Sequence, residues 1–414
     1  MRNCLLYCTS ALLYCLFISS SVHAQLPKIY LHPKAPGSEK QSNFIDSIRF
    51  IPLEIKEGID LSLYNYIIVT TDYFLLTDYP QKTIHIYSKT GAFVKSISYK
   101  QLGERAFPDY EEHKNQLVFF GDNKNYSLTA KDRIQITLDW NNPRNKKYFT
   151  KHVIDLSDPS FAIKKDNPGE NDILHANHYY DDYYWRGQIT TSELYKDTLD
   201  YELKIYRNNG QVKGFFPYNP INEPRFLYTE ESVVLNRTGT KDIHLVTRPF
   251  CDTIYRMIKD SMFPAYHLVL PLENSLPASF YTKAFKNKAE RENFERNNGW
   301  MLHQVYNFYE TSRFIYFSVG YLSNHETYLY QKQTNASFKT KNIRPDSSQY
   351  NLNLLADFGI QRKGDRFYKT QKADDLLQFF ERHKAVPVPK ELESFLNSKP
   401  AGNSPVIVEF KLKN

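Results

Sequence analysis

Short runs rich in Ile, Val, Tyr, Phe and Thr recur along most of the chain, and each is broken within a few residues by Asp, Asn, Gly or Pro. Examples are residues 66–71, 83–87, 116–120, 133–138, 201–206, 313–318 and 405–410. Such runs are typical of β-strands bounded by turns, and no helical period persists through most of the sequence. We therefore predict an all-β fold of many short antiparallel strands.

The hydrophobic pattern of these runs is of two kinds. Some runs alternate apolar with polar residues, as at Ile84 and Ile86, whereas others are continuously apolar. An alternating strand faces water on one side, and a continuous run is covered on both faces. A β-propeller contains both kinds, because neighbouring blades sandwich the inner strands while the outer strands meet solvent. A single sandwich would alternate throughout, so the mixture favours a propeller.

A faint internal repeat supports this interpretation. The segment Ile86-Tyr-Ser-Lys-Thr-Gly91 returns as Ile205-Tyr-Arg-Asn-Asn-Gly210, and each is followed by a second strand-like run. Glycine tolerates the positive φ that tight hairpin turns demand. A degenerate third copy follows Tyr328, with Asn335 expected in the glycine position. Each copy predicts a hairpin, the outer half of a propeller blade.

Three segments are predicted to be helical: residues 278–297, 373–382 and 390–396. We interpret them as short insertions between blades, since no long Pro-, Gly- or Ser-rich linker divides the chain. The predicted organisation is therefore a leader (residues 1–24), an N-terminal extension (25–41) and one propeller domain (42–414). Because an open ring leaves unpaired strand edges, residues 49–55 and 405–410 are expected to lie in, or beside, the same closing blade.

The first residues have the features of a secretory signal peptide. Arg2 supplies the positive charge, an apolar stretch follows, and Val22-His-Ala24 provides a small-x-small cleavage site. The apolar run is shorter than the roughly 20 residues that a membrane span needs, so we expect no transmembrane segment in the mature chain. A lipoprotein leader is the less favoured variant. We expect export to the periplasm or outer surface of a Gram-negative bacterium.

Charge and cysteine content exclude several classes of function. The 53 basic and 46 acidic residues are spread evenly and give a net charge of +7, without the concentrated basic stripe of a nucleic-acid-binding protein. Three of the four cysteines lie in the leader, which leaves Cys251 alone. A single thiol forms no internal disulfide and no thiolate metal cage. We interpret Cys251 as a small buried residue.

Several phrases together resemble a known family. They are Phe50-Ile-Pro-Leu-Glu54, the hairpin after Ile86, and the stretches at residues 248–256, 309–317 and 403–413. In this order they resemble the six-bladed β-propellers of exported, largely uncharacterised bacterial proteins, which are similar to NHL-repeat propellers. The resemblance covers roughly residues 42–413, although that family's Gly/Pro/Glu-rich motif is eroded here at residues 102–110. It implies six four-stranded antiparallel blades, whereas length alone would also permit seven or eight.

Catalytic and metal-binding signals are weak. His175 and His178 could ligate a metal only if a helix or loop brought them together, and Glu310 is one of several scattered acids without a paired-carboxylate spacing. The sequence contains no GxSxG, P-loop, GxGxxG or HExxH motif. We therefore expect no metal and no cofactor.

The most suggestive binding patch surrounds Trp185 and Arg186, because Trp, Tyr and Arg together suit stacking on a sugar or a peptide. Arg248 is a second ligand-binding candidate. In the alternative, Trp185 is buried between blades. The favoured function is a monomeric, non-catalytic binding or scaffold protein that recognises a glycan, peptide or protein at a channel mouth. The alternative is a propeller enzyme, a lyase or metal-dependent hydrolase acting on a glycan or lactone.

Overall fold

The computed structural model describes residues 26–31, 39–59, 61, 66–103, 108–132, 136, 143–166, 177–180, 182–187, 198–207, 210–219, 233–238, 240, 242–277, 288–355, 360–398, 400 and 403–414. The predicted leader and His175 lie outside these residues, as does the first half of the predicted helix at 278–297. In the described part of the chain, no helix is both long and apolar enough to cross a membrane.

Six small antiparallel sheets form a ring, which confirms the predicted six-bladed propeller of four-stranded blades. Two strands precede the first complete blade: β1 (Lys28–Tyr30) and β2 (Ile45–Pro52). Blade 1 comprises β3 (Tyr66–Val69), β4 (Tyr73–Asp78), β5 (Thr83–Ser88) and β6 (Phe93–Ser98). Blade 2 comprises β7 (Pro108–Glu111), β8 (Gln116–Asp122), β9 (Phe149–Asp155) and β10 (Lys164–Asp166). Blade 3 comprises β11 (Asn177–Tyr180), β12 (Tyr183–Gly187), β13 (Asp200–Arg207) and β14 (Gly210–Tyr218).

The second half of the chain completes the ring. Blade 4 comprises β15 (Val234–Arg237), β16 (His244–Thr247), β17 (Thr253–Ile258) and β18 (Ser261–Val269). Blade 5 comprises β19 (Leu302–Glu310), β20 (Phe314–Tyr321), β21 (His325–Gln331) and β22 (Ala336–Lys339). Blade 6 takes β23 (Gln361–Lys363), β24 (Arg366–Lys372) and β25 (Pro405–Leu412). The described α-helices are α1 (Lys288–Asn297), α2 (Ala373–Arg382) and α3 (Lys390–Asn397).

The two ends of the propeller meet in blade 6. Strand β2 pairs antiparallel with β25, with Phe50 opposite Val408, and becomes the fourth strand of that blade. This confirms the expected closure between the two terminal strands. Strand β1, from the segment expected to form an N-terminal extension, pairs in parallel with β18 and adds a fifth strand to blade 4.

The hydrophobic core lies between blades. Leu75 and Ile86 of blade 1 pack against Leu117 and Phe119 of blade 2, and equivalent clusters join other neighbouring blades. Strand β20 is buried at every position, as expected of a strand covered on both faces. The continuous apolar runs of the sequence therefore correctly indicate strands that neighbouring blades cover on both faces.

The helices decorate the ring. Helix α1 lies between blades 4 and 5, in line with the prediction, but α2 and α3 lie inside blade 6, between β24 and β25. Their apolar faces, which include Leu376, Phe380, Leu392 and Leu396, pack on the core shared by blades 5 and 6. The expectation that these two helices separate blades was wrong, because an amphipathic hairpin can also cap the end of a single blade.

The predicted hairpins are present as the outer halves of blades 1, 3 and 5. Gly91 has a φ of +88°, and a Cβ there would lie 2.2 Å from the carbonyl oxygen of Pro52. Both the turn and the approach of the closing strand therefore require glycine. Asn335 has a φ of +54° and takes the expected glycine-like role, whereas Gly210 is the first residue of β14.

Candidate functional site

Trp185 and Arg186, the predicted binding pair, lie next to each other on β12 of blade 3. Neighbouring strand residues point to opposite faces of a sheet, so the two side chains do not converge. The indole of Trp185 is half-buried and packs on the apolar cluster between blades 3 and 4, which includes Ile205 and Val246. It also covers Gly187, where a Cβ would lie 3.0 Å from the indole ring.

Arg248, the third predicted residue, follows β16 and joins blade 4 to blade 3. Its Nε donates a 2.8 Å hydrogen bond to Glu202 Oε2, and Nη2 lies 2.5 Å from Oε1 of the same carboxylate. The guanidinium also stacks 4.1 Å from the ring centre of Phe216. Burial opposes the charge of Arg248, but hydrogen bonding to Glu202 outweighs it and raises the pKa. The Glu202 carboxylate is almost fully buried, so this ion pair is a structural link between blades 3 and 4.

Cys251 lies three residues beyond Arg248. Burial raises the pKa of its thiol, although the nearby Arg248 charge opposes that shift. A raised pKa disfavours the thiolate, the nucleophilic form.

The first strands of the blades lie nearest the axis, as contacts between β15 and β19 and between β23 and β3 show. Within an antiparallel blade, the turn after the first strand and the turn after the third strand lie at the same end of the ring. Charged residues from these turns gather at that end. We call this end the turn face.

Three charged residues meet at the axis on the turn face, and we call them the axial cluster. Glu112 of blade 2 forms ion pairs with Arg237 of blade 4 and with Lys363 of blade 6. Blades 2, 4 and 6 are every second blade of the ring, so the cluster spans the channel. Burial lowers the pKa of Lys363 to about 8, and the charge of Arg237 adds to that shift.

A cavity of about 690 Å³ adjoins the axial cluster on the turn face, between blades 4, 5 and 6. We call it the mouth cavity. The charged side chains of its lining are those of Arg256, Glu310, Lys332, Arg362 and Asp365, with Thr238, Thr240, Thr311 and Ser312 among the neutral residues. Such a volume is within the range of small-ligand sites.

Glu310, at the end of β19, is the hub of the cavity. Its Oε1 accepts hydrogen bonds from Lys332 Nζ at 2.6 Å and from the hydroxyl of Tyr266. Burial, and then the Glu310 carboxylate, raise the pKa of Tyr266, so the hydroxyl stays a donor. In the sequence, Glu310 is one of several acidic residues without a recognisable spacing. In the folded ring, side chains from blades 4, 5 and 6 surround it.

Two guanidinium groups in the cavity have incomplete partners. Arg256 Nη2 lies 3.6 Å from Glu310 Oε2, and its Nε is buried with no hydrogen-bond acceptor in the part of the chain that the structure describes. Arg362 donates to backbone carbonyl oxygens, at 3.0 Å to Glu310 and 2.8 Å to Gly364. Burial lowers the pKa of Arg362, although Tyr309 and Asp365 oppose that shift.

The sequence alone does not identify the axial cluster or the residues of the mouth cavity other than Glu310. The sequence feature that could identify such residues is a charged side chain at the end of a blade's first strand, as at Arg237, Glu310 and Lys363. This feature can be recognised only when the first strand of each blade is already known. No group of three or more His, Cys, Asp or Glu residues that could hold a metal occurs among the described residues.

The sequence over residues 32–411 matches the family described as Domain of unknown function (DUF4934). No curated protein matches the chain. A crystal structure of a protein from Bacteroides fragilis described as exported (BF0058) is similar, with a TM-score of 0.59, 14% identity, and coverage of 94% of this chain and 99% of that one. This likeness shows the fold.

Two other solved structures are less similar, with TM-scores below 0.5. One is a member of the DUF4221 family from Bacteroides vulgatus, with a TM-score of 0.40, 12% identity, and coverage of 89% of this chain and 98% of that one. The other is virginiamycin B lyase from Staphylococcus aureus, with a TM-score of 0.36, 9% identity, and coverage of 89% and 99%.

Proposed function

Because the chain belongs to the DUF4934 family, whose description gives no activity, we propose its function from its own residues. The protein is an exported, non-catalytic binding module. It takes a carboxylate-bearing ligand, presented by a peptide or a glycan, in the mouth cavity on the turn face.

The observation that carries this proposal is the pair of guanidinium groups in the cavity lining, Arg256 with an Nε that lacks an acceptor among the described residues and Arg362 with carbonyl acceptors only. A buried donor without an acceptor is costly, and Arg256 Nε is such a donor among the described residues. Arg362 is half-buried in the lining of the same cavity and donates to neutral carbonyl groups. A carboxylate would supply the missing acceptors, because guanidinium groups bind carboxylates through paired charge-assisted hydrogen bonds.

The state of Glu310 supports a binding role over a catalytic one. A general base needs a free lone pair directed at the substrate. In Glu310, Oε1 already accepts from Lys332 and Tyr266, and Arg256 lies beside Oε2. Glu310 therefore serves as an anchor that positions the surrounding cations.

Export is supported by the leader-like features of residues 1–24. The B. fragilis structure of similar fold is also described as an exported protein. In an exported setting, acidic peptides and glycans of the cell envelope are accessible ligands.

Titration calorimetry with two probes, trigalacturonate and triglutamate, tests the proposal. We expect at least one probe to bind without being consumed, and Arg256→Gln to weaken its binding about tenfold, equivalent to about 1.4 kcal/mol. Arg313→Gln is the matched control, because Arg313 is partly exposed in the turn after β19 but does not line the cavity. The proposal fails if neither probe binds, or if the two variants behave alike. Chemical conversion of a probe would favour the enzyme alternative.

A further inference from the structure

A second cavity, of about 660 Å³, lies at the opposite end of the ring, beside the connection from blade 4 to blade 5. We call it the rim cavity. The apolar contribution to its wall comes mainly from Trp300, whose side chain is about half exposed. Asparagine residues make up much of the remaining lining, including Asn297 and Asn342. One aromatic face beside several amides combines a stacking surface with hydrogen-bonding groups.

Hydrogen bonds fix the backbone around Trp300, whereas its indole is about half exposed. Asn274 Nδ2 donates a 2.7 Å hydrogen bond to the carbonyl oxygen of Trp300. The backbone N–H of Ser323, in the turn after β20, donates to the carbonyl of Gly299 at 3.0 Å. The indole itself leans on Tyr321, with ring centres 6.0 Å apart. An exposed aromatic ring on a fixed backbone is a preorganised stacking surface, which lowers the entropic cost of binding.

The ionised groups of the rim cavity balance one another. Glu326 is almost fully buried and forms ion pairs with Lys339 and with Lys341, the latter at 2.9 Å. Glu273 contributes the second carboxylate of the lining. Two carboxylates and two ammonium groups leave no net charge, so the cavity does not select a charged ligand.

The amides provide the hydrogen-bonding capacity. Among the residues that the structure describes, the side chains of Asn297 and Asn342 have no hydrogen-bond partner. Each amide offers both donors and acceptors, and neighbouring hydroxyl groups of a sugar ring require both. We propose that the rim cavity binds a neutral saccharide of one or two rings, stacked on Trp300 and hydrogen-bonded by Asn297 and Asn342. A peptide would find few apolar contacts there besides Trp300.

Tryptophan fluorescence and calorimetry with cellobiose, maltose, lactose, mannobiose and N,N′-diacetylchitobiose test this proposal. We expect at least one disaccharide to bind and change the emission of Trp300. Trp300→Ala should abolish binding with little change in melting temperature, because the ring is half exposed. Asn342→Ala should weaken it about tenfold.

Leu272→Ala provides the matched control. Leu272 is 92% exposed beside the cavity but does not line it, so its loss should leave binding unchanged. Arg256→Gln should also leave saccharide binding unchanged, which separates this site from the mouth cavity. The proposal is overturned if no disaccharide binds the wild-type protein, or if folded Trp300→Ala retains the wild-type affinity.

Discussion

The carboxylate of Glu112 in blade 2 pairs with the ammonium of Lys363 in blade 6, across 251 residues of sequence. The same carboxylate pairs with Arg237 of blade 4. The hydrophobic clusters join neighbouring blades, such as blades 1 and 2 or blades 3 and 4, but these ion pairs join alternate blades through the axis. The axial cluster thus adds contacts that interblade packing does not provide.

Glu112→Gln should lower the free energy of unfolding by about 1–2 kcal/mol. Partly exposed pairs contribute little individually, but removing the carboxylate also leaves Arg237 and Lys363 to repel each other. Urea unfolding measures the change, and added salt should reduce it. Glu111→Gln is the control, since Glu111 pairs locally with Lys114, and its effect should stay within about 0.5 kcal/mol. Equal effects of the two substitutions would contradict the axial role.

Lys89 predicts a pH dependence of stability. Its Nζ lies 4.1 Å from the ring centre of Phe74 and 5.1 Å from that of Tyr368, between blades 1 and 6. Burial lowers its pKa from 10.5 to about 8, although Glu409 opposes the shift. Between these two values the unfolded chain binds the proton and the folded chain does not, so this residue's contribution to stability rises with pH.

Comparison with Lys89→Met isolates this effect from the titration of the tyrosines. From about pH 7 to about pH 10, the wild type should gain about 1 kcal/mol of unfolding free energy relative to the variant. This is less than the full pKa difference implies, because the Lys89 side chain as a whole is only partly buried. A constant difference between the two proteins across that range would show that Lys89 keeps its proton.

Arg248→Ala should cost about 3–5 kcal/mol of stability, because it removes the guanidinium charge that neutralises the buried Glu202 carboxylate. The double variant Arg248→Leu with Glu202→Leu should lose less, since neither charge remains. Chemical denaturation of the wild type and both variants gives the comparison. If Arg248→Ala were as stable as the wild type and bound trigalacturonate or triglutamate more weakly, Arg248 would be a ligand-binding residue instead.

Trp185→Ala should lower stability by about 2–4 kcal/mol, because the indole fills space between blades 3 and 4. Trp185→Phe, which retains an aromatic ring, should lose about half as much. Thermal melts distinguish the two roles proposed for this residue. An unchanged melting temperature together with loss of probe binding would restore Trp185 as a stacking residue.

Much of the fold is predictable from the sequence because its signals are local. Burial on both faces makes β20 continuously apolar, and a tight turn requires Gly91. The candidate site, in contrast, is formed by residues that are far apart in the sequence. Glu310 meets Tyr266, which is 44 residues away, only after blades 4 and 5 are assembled. The pairing of Arg248 with Glu202, which lies 46 residues earlier in the chain, likewise has no local signal in the sequence.

A crystal structure of the protein grown with whichever of trigalacturonate and triglutamate binds more tightly tests the central claim most directly. We predict a ligand carboxylate in the mouth cavity, within hydrogen-bonding distance of Arg256 Nε and of the Arg362 guanidinium. Glu310 should keep its contacts with Lys332 and Tyr266. A ligand bound elsewhere on the ring, or an Arg256 Nε that is satisfied by a protein acceptor without ligand, would contradict the account.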